Sequence, residues 1–211
     1  MPTPKSHETL ESWVAALAAP TAAPAGGAAA ALAGTLGAAL VQMVAGLTGA
    51  RERYAAVHAE AADARERARR LAEAMLALAS RDAEAFDGYA RALAMPAGTG
   101  DERQTRERAK AEALRDGSDV QLELLAQLGS TADLAEAMAQ RGLAAALGDA
   151  ATAAFLAAAA ARSAYWAVRS NLHNATDRPS AERAVTTARD LLERIELVER
   201  RVRQLLAQRI P

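Results

Sequence analysis

The sequence has no cysteine, very few aromatic residues and almost no excess of charge of either sign. The lack of cysteine excludes disulfides, thiolate nucleophiles and Cys-ligated zinc or iron–sulfur centres. Its 211 residues include 25 Lys+Arg and 26 Asp+Glu, so no long-range field attracts nucleic acid or anionic lipid. Aromatic residues make up only 3%. Alanine is abundant instead, at about 60 residues, and this composition predicts closely packed helices with almost no sheet.

The order of capping residues, turn glycines and apolar positions predicts a single all-α bundle over residues 1–211. Ser6, Asp101 and Asp177 are the expected caps of three of its helices. Helices are predicted over about 6–18, 28–47, 52–93 (kinked near Ser80), 101–142 (divided at Gly117 and Gly129), 149–173 and 177–205. Two uncharged, Ala/Gly-rich helices are expected at the centre, with amphipathic helices around them.

The start of the chain does not resemble a secretory signal, because Glu8 and Glu11 interrupt it early, and a cytoplasmic protein is expected. The segment from Ser12 to Ala50 carries no charge and contains a ladder of small residues that would also suit a packed membrane helix: Gly26, Ala30, Gly34 and Ala38. It is rich in Ala and Gly rather than Leu, and Pro20 interrupts it. Burial at the centre of a helical bundle is therefore the preferred interpretation.

Few residues are arranged as known catalytic or metal-binding motifs require. The three histidines, His7, His58 and His173, are too widely spaced to predict a metal cluster. The sequence has no Walker loop, no GxSxG elbow and no glycine fingerprint after a strand, so nucleotide hydrolysis and serine-hydrolase chemistry have no local support.

Two acidic residues stand at unusual positions. Asp149 interrupts an otherwise uncharged run from Leu143 to Ala161, so it is either the N-cap of a helix or a carboxylate held inside an apolar bundle for a function. The pattern alone favours the cap. Asp82 lies in a charged helical segment, and the pattern alone predicts a solvent-facing residue.

Polar residues near the ends of both apolar helices are candidates for anion binding. Arg162, Arg169 and Asn171 follow the second apolar run, where they form either a binding surface or an ordinary helix end entering solvent. Arg51 and Arg53 follow the first apolar helix, and their charges suit the C-terminal end of a helix dipole without any ligand.

The order of motifs along the chain is similar to that of a known family. The segment from Pro24 to Thr48 resembles the PTPGGGSAAALAGALGAAL..MV..LT opening of the cyclodeaminase/cyclohydrolase family, the type of the C-terminal domain of formiminotransferase-cyclodeaminase. Four later motifs follow in the family's order, and the resemblance covers nearly the whole chain. They are Arg51–Tyr54 for its basic GKKKY, Asp82–Phe86 for DAxAF, Gly148–Ala150 for SDAG and Val168–Leu172 for VRINL.

This resemblance implies an all-α homodimer that acts on one-carbon forms of tetrahydrofolate. Members of the family either expel ammonia from 5-formiminotetrahydrofolate to close the 5,10-methenyl ring, or open that ring with water to give 10-formyltetrahydrofolate. A stand-alone chain of this length is more similar to the cyclohydrolases. The expected ligand is a tetrahydrofolate derivative as substrate, with no bound metal.

The resemblance also implies roles for individual residues, and it favours a functional Asp149 over a capping one. A carboxylate beside the cationic methenyl carbon stabilises charge and can activate water, so Asp149 and Asp82 are the catalytic candidates. Basic residues suit the carboxylates of the glutamate tail. The candidate substrate-binding residues are Pro24, Gly26, Gly27, Arg51, Arg53, Arg162, Arg169 and Asn171.

The chain departs from the family pattern mainly at polar positions. Ala25 replaces the first glycine of the PGGG loop, and the stretch 142–148 lacks the two asparagines and the serine that precede the family's acid. The family's LNV reads Trp166-Ala167-Val168. An alternative hypothesis is therefore that the fold is kept while the site is inactive or repurposed, giving a binding or assembly protein or an enzyme for a less polar substrate.

Overall fold

A computed structural model describes residues 8–210, which are almost entirely helical. The structure is 88% helical, and no strand occurs in the part of the chain that it describes. Two short 3-10 helices, Glu52–Val57 and Ala144–Ala146, precede the third and fifth α-helices. The α-helices are α1 (Leu10–Ala18), α2 (Gly26–Gly49), α3 (His58–Leu93), α4 (Gly100–Arg141), α5 (Leu147–Leu172) and α6 (Arg178–Arg209). The predicted all-α class is confirmed.

Small residues let α2 approach its neighbours closely, and Ala30, Gly34 and Ala38 of the predicted ladder are buried inside the bundle, whereas Gly26 is exposed. A Cβ atom on Gly34 would lie 2.6 Å from Leu128 Cδ2 of α4 and 2.7 Å from Met75 Sδ of α3. A Cβ on Gly37 would lie 3.1 Å from the backbone oxygen of Ala153 in α5. Larger side chains at these positions would force the helices apart.

Helices α2 and α5 run antiparallel. Each end of α2 therefore lies in a separate region of the bundle, beside the opposite end of α5. The Ser163 hydroxyl of α5 donates to the backbone oxygen of Gly26 at the start of α2, at 3.4 Å. Near the end of α2, the Thr48 hydroxyl accepts from the backbone N–H of Leu143, just before α5, at 2.9 Å. The start of α2 therefore adjoins the C-terminal half of α5.

Both long helices at the middle of the chain are more continuous than the sequence predicts. Helix α3 runs through Ser80 without a break, and α4 is one helix of 42 residues across Gly117 and Gly129. A Cβ on Gly117 would lie 3.2 Å from Asn171 Nδ2 and a Cβ on Gly129 would lie 3.9 Å from Ile195 Cγ1. These glycines therefore lie where α5 and α6 pack onto α4, and the prediction that they divide the helix is wrong.

The caps agree with the sequence at one helix and differ at another. Asp177 accepts from the backbone N–H of Ser180 and caps α6, as predicted. The cap of α4 is Thr99, which forms a capping box with Glu102, so the prediction that Asp101 caps this helix is wrong. Helix α1 is capped by Thr9, and the predicted cap Ser6 lies outside the described residues.

Within residues 8–210, two segments are long and apolar enough to cross a membrane by length and composition, namely Gly26–Gly49 and Ala144–Leu172. In the most apolar stretch of each, 50% and 56% of the residues are buried inside the bundle. Burial of this extent is also what the central helices of a helical bundle show, and these segments contain α2 and α5, which form the centre of this one.

One face of α2 carries apolar side chains that its neighbours leave uncovered. We call Leu36, Leu40, Met43 and Leu47 the α2 stripe, because their spacing places them along one side of the helix. Leu36, Met43 and Leu47 are 51%, 41% and 39% exposed, and Leu40 is half-buried. No charged residue interrupts the stripe, since α2 contains none.

Candidate functional site

The carboxylate of Asp82 lies where the start of α2 meets α3 and α4. Gln121 of α4 donates from Nε2 to Asp82 Oδ1 at 2.6 Å, and the backbone N–H of Ala28 donates to the same carboxyl group. Asp82 is partly buried, and Gln121 is only 1% exposed. The sequence pattern predicts a solvent-facing Asp82; that prediction is wrong, because α2 and α4 cover this part of α3.

Asp82 supplies the acceptor that α2 lacks at its own N-terminus. The N-cap of α2 is Ala25, whose side chain cannot accept a hydrogen bond from the free amides of the first turn. The acidic side chain from α3 takes this place, where the helix dipole also favours negative charge. A Cβ on Gly27 would lie 2.3 Å from both Asp82 Oδ1 and Gln121 Nε2, so this position requires glycine.

Burial and hydrogen bonding act on the pKa of Asp82 in opposite directions. Burial raises the pKa above its ordinary value, and the hydrogen bonds from Gln121 and the Ala28 N–H oppose that rise in part. Arg81, which precedes Asp82 on α3, pairs with Glu123 of α4 at 2.6 Å. With its pKa raised on balance, Asp82 can accept and return a proton closer to neutral pH than a solvated aspartate.

The structure brings several other predicted residues to this region. Gly26 and Gly27 form the first turn of α2, and Pro24, just before that turn, is buried. Asn171 of α5 reaches Gly117, which lies one helical turn before Gln121 on α4. The predicted residues Pro24, Gly26, Gly27 and Asn171 therefore surround the same junction of helices as Asp82.

Arg169 lies on the exposed side of α5, beside two aromatic rings. Its guanidinium carbon is 4.7 Å from the ring centroid of Trp166 and 5.8 Å from that of Tyr165. Trp166 is 60% exposed, so the pair forms a flat cationic and aromatic surface two turns or less from Asn171. This arrangement leaves the Arg169 charge available to an anion.

Asp149 lies in a different region of the chain. It is in the first turn of α5, is partly exposed, and its carboxylate has no hydrogen-bond or ion-pair partner among residues 8–210. Helix α5 begins at Leu147 with Ala146 as its N-cap, so the capping role that the pattern alone favours for Asp149 is wrong. The 14 residues from Asp149 to Ser163 span about 21 Å of helix, which separates Asp149 from Asp82 within one chain.

Arg51 and Arg53 lie on the same side of the bundle as Asp149. Both are exposed, and together with Glu52, Leu143 and Ala145 they line an open cavity of about 480 Å³. The Arg53 guanidinium carbon lies 5.0 Å from the ring centroid of Tyr54. The structure thus separates the predicted residues into two groups, one around Asp82 and the other comprising Asp149, Arg51 and Arg53.

Arg162 belongs to neither group. Its guanidinium donates to Glu196 at 2.9 Å and to Glu199 at 2.5 Å, and both partners lie on α6. The side chain of Glu199 is only 9% exposed. These contacts raise the pKa of Arg162 and join α5 to α6, so its charge is already matched by two carboxylates and is not presented to a ligand.

The histidines have separate surroundings. His58 Nε2 lies 3.0 Å from the backbone oxygen of Arg51, His173 is exposed at the end of α5, and His7 lies outside the described residues. Over residues 8–210 no group of three or more His, Cys, Asp or Glu side chains is arranged to hold a metal ion.

Gln121 is the residue of this site that the sequence analysis did not identify. It sits in an apolar segment of α4 whose buried residues include Val120, Leu124, Leu125 and Leu128. An amide at a core position needs a hydrogen-bond partner, and this was the signal in the sequence that could have identified it. Nothing in the sequence indicates that the partner is Asp82, which lies 39 residues earlier.

Comparison with known proteins now defines the class of protein. The profile of the formiminotransferase-cyclodeaminase family matches residues 9–190, and the chain belongs to this family. The chain is 32% identical over 204 residues to a methenyltetrahydrofolate cyclohydrolase of Methylorubrum extorquens, and the match covers 97% of this chain and 98% of that protein. Its fold is similar to that of a formiminotetrahydrofolate cyclodeaminase from Thermotoga maritima, with a TM-score of 0.86, 23% identity and coverage of 96% and 97%.

Proposed function

We propose that this protein is a methenyltetrahydrofolate cyclohydrolase, which opens the 5,10-methenyl ring with water to give 10-formyltetrahydrofolate. Family membership and the full-length similarity to a cyclohydrolase support this reaction over the deamination of 5-formiminotetrahydrofolate. The observation that carries the proposal is the partly buried carboxylate of Asp82, which Gln121 and the start of α2 hold in place.

A carboxylate of this kind meets the two requirements of the reaction. The methenyl carbon is part of a cationic amidinium-like system, which a nearby negative charge stabilises and orients. Water adds to that carbon and passes one proton to Asp82. The bond from the carbon to N5 then breaks with its electron pair staying on N5. Asp82 returns its proton to N5, the carbon becomes the formyl group on N10, and the second proton of the water leaves to solvent.

The longest departure from the family pattern, the stretch 142–148, lies on the side of Asp149, whereas Ala25 and Trp166-Ala167-Val168 lie near Asp82 without being among its hydrogen-bond partners. The altered stretch 142–148 is held by Thr48 and by Tyr54, whose hydroxyl accepts from the backbone N–H of Ala144 at 3.0 Å. The polar contacts of Asp82 do not include this stretch. A site built around Asp82 therefore keeps its hydrogen bonds, which favours an active enzyme over an emptied or repurposed site.

The test of this proposal follows the absorbance of 5,10-methenyltetrahydrofolate with and without the purified protein, in a buffer that does not itself speed ring opening. We expect the protein to accelerate the loss of absorbance and 10-formyltetrahydrofolate to be the product. A shift of the unfolding temperature with folinic acid but no turnover would support the alternative, a binding protein that keeps the fold. The absence of both turnover and a shift of the unfolding temperature would contradict folate binding altogether.

We also propose that the protein is a homodimer in which the α2 stripe packs against its copy. An uncharged helix face with exposed Leu and Met side chains is of the kind that subunit interfaces cover. A two-fold axis across the middle of the stripe, between Leu40 and Met43, pairs the two stripes in antiparallel order, so that the dipoles of the two helices point in opposite directions. The start of α2 in one chain then lies beside the end of α2 and the residues that follow it in its partner.

This pairing explains why the predicted residues form two groups in one chain. The second half of α2 is accompanied by Arg51, Arg53 and the start of α5 with Asp149. In the dimer, these residues of one chain face the Asp82 region of the other. Each of the two sites then combines Asp82 of one chain with the acid of its partner, and with arginines suited to the carboxylates of the glutamate tail.

Placing a charge in the α2 stripe tests the interface. Leu36→Glu buries a carboxylate at the proposed contact, and we expect it to convert the dimer into a monomer and to lower turnover because each site loses its partner residues. Size-exclusion chromatography with light scattering measures the mass. Leu197→Glu is the matched control, because Leu197 is similarly exposed, at 47%, but lies on α6. A Leu36→Glu protein that remains dimeric and active would contradict this interface.

A further inference from the structure

Gln121 has a buried oxygen that no neighbouring group satisfies. Its Nε2 donates to Asp82, but its Oε1 has no hydrogen-bond partner in the described part of the chain, although the side chain is only 1% exposed. A buried acceptor without a partner costs stability, and a leucine of similar size would avoid that cost. Packing alone therefore does not explain why this position carries an amide.

The contact geometry shows that the Gln121 amide acts on the Asp82 carboxylate. Gln121 Nε2 and Asp82 Oδ1 are 2.6 Å apart, and a Cβ on Gly27 would lie 2.3 Å from both. The backbone at the start of α2 thus closes over the pair and limits the positions that either side chain can take. The remaining hydrogen bond to Asp82 comes from the Ala28 N–H, which belongs to the same turn.

We propose that Gln121 is the positioning residue that serves both protonation states of Asp82 during turnover. When Asp82 is ionised, Nε2 donates to the carboxylate, as the structure shows. When Asp82 has taken the proton from the attacking water, rotation of the amide by half a turn presents Oε1 to the new O–H group, and the unsatisfied acceptor gains its partner. The inference rests on the proposed function and adds to it how the acid is held through the proton transfer.

No charged group substitutes for Gln121 in this role. Helix α2 has no charged residue, and Arg81 of α3 and Glu123 of α4 pair with each other. The contributions to the pKa of Asp82 are burial, Gln121 and the Ala28 N–H, with no charged side chain among those described. Removal of the amide therefore leaves one backbone donor to stabilise the carboxylate.

Replacing Gln121 by Leu tests the role, because it keeps the volume and removes both polar atoms. We expect the acidic limb of the pH–rate profile to move upward by about one pH unit, because the charge-assisted hydrogen bond that the ionised form loses is stronger than the neutral one that the protonated form loses. We expect kcat to fall by about tenfold or more near neutral pH while KM changes little. The unfolding temperature at neutral pH should change little, because removing the unsatisfied oxygen offsets the loss of the hydrogen bond to the ionised Asp82.

A readout that does not depend on turnover separates this inference from the proposed function. Carboxyl-labelled aspartate, with the Asp82 signal identified by its loss in Asp82→Asn, reports the pKa of Asp82 by NMR in wild-type protein and in Gln121→Leu. We expect a higher pKa in the variant even if the substrate is not a folate. Gln140→Leu is the control, because Gln140 also lies on α4 and its amide donates to Glu136 at 3.3 Å. An unchanged Asp82 pKa in Gln121→Leu would overturn the inference.

Discussion

Asp82→Asn is expected to lower the rate of methenyltetrahydrofolate hydrolysis by about 10²–10⁴-fold while leaving the protein folded. Asparagine has nearly the same shape, and its Oδ1 can still accept from Gln121 and from the Ala28 N–H. It carries no negative charge for the cationic carbon and cannot accept a proton from water. The loss therefore falls on the chemical step, and the measurement is kcat from the absorbance assay.

The stability of this variant distinguishes a catalytic role from a structural one. Burial raises the pKa of Asp82, so above that pKa the folded protein bears the cost of holding the charge. The neutral Asp82→Asn protein should therefore unfold at the same temperature as wild type, or at a higher one, at slightly alkaline pH. Asp87→Asn, at an exposed position of the same helix, is the control and should keep full activity. Full turnover in Asp82→Asn would remove the role assigned to this acid.

Gly27→Ala has the second largest expected effect, because the new methyl group has no room. Its Cβ would lie 2.3 Å from Asp82 Oδ1 and from Gln121 Nε2, so either the carboxylate or the first turn of α2 must move. A displacement of about 1 Å at a catalytic group can cost about 10²-fold in rate. We expect a loss of that size together with destabilisation of about 1–3 kcal/mol from overpacking.

Gly100→Ala is the matched control for this substitution. Gly100 is the first residue of α4, a Cβ there meets no atom within 4 Å, and none of the described glycines has a positive φ that alanine could not adopt. Steady-state kinetics and thermal unfolding of both variants are the measurements. A Gly27→Ala protein with wild-type kcat would show that the Asp82–Gln121 pair does not need its present position.

The sequence predicted the central helices well because their signal is local. A run without charge from Ser12 to Ala50, rich in Ala and Gly, can only be buried or paired, and α2 lies within it as expected. The continuity of α4 was not predictable in the same way. Gly117 and Gly129 weaken a helix in isolation. Only the close packing of Asn171 and Ile195 against them shows why glycine occupies these two positions of α4.

The site was harder to predict, since its residues meet only through tertiary contacts. Asp82 stands in a charged segment whose pattern indicates a solvent-facing side chain, and its burial depends on α2, more than 30 residues earlier, and on α4, 39 residues later. The family resemblance proposed Asp82 as a catalytic candidate, whereas the pattern alone did not. Neither approach identified Gln121, and neither showed that Asp149 lies about 21 Å along α5 from the Asp82 region.

The central claim is that each active site combines Asp82 of one chain with Asp149 of its partner, and mixed dimers test it most directly. Asp82→Asn and Asp149→Ala chains carrying different tags are co-expressed, and the heterodimers are purified through both tags. One of the two sites in each heterodimer then has both acids intact, and the other has neither. We predict that both parent homodimers are inactive and that the heterodimer recovers about half of the wild-type rate per dimer. A heterodimer as inactive as its parents would contradict the shared site.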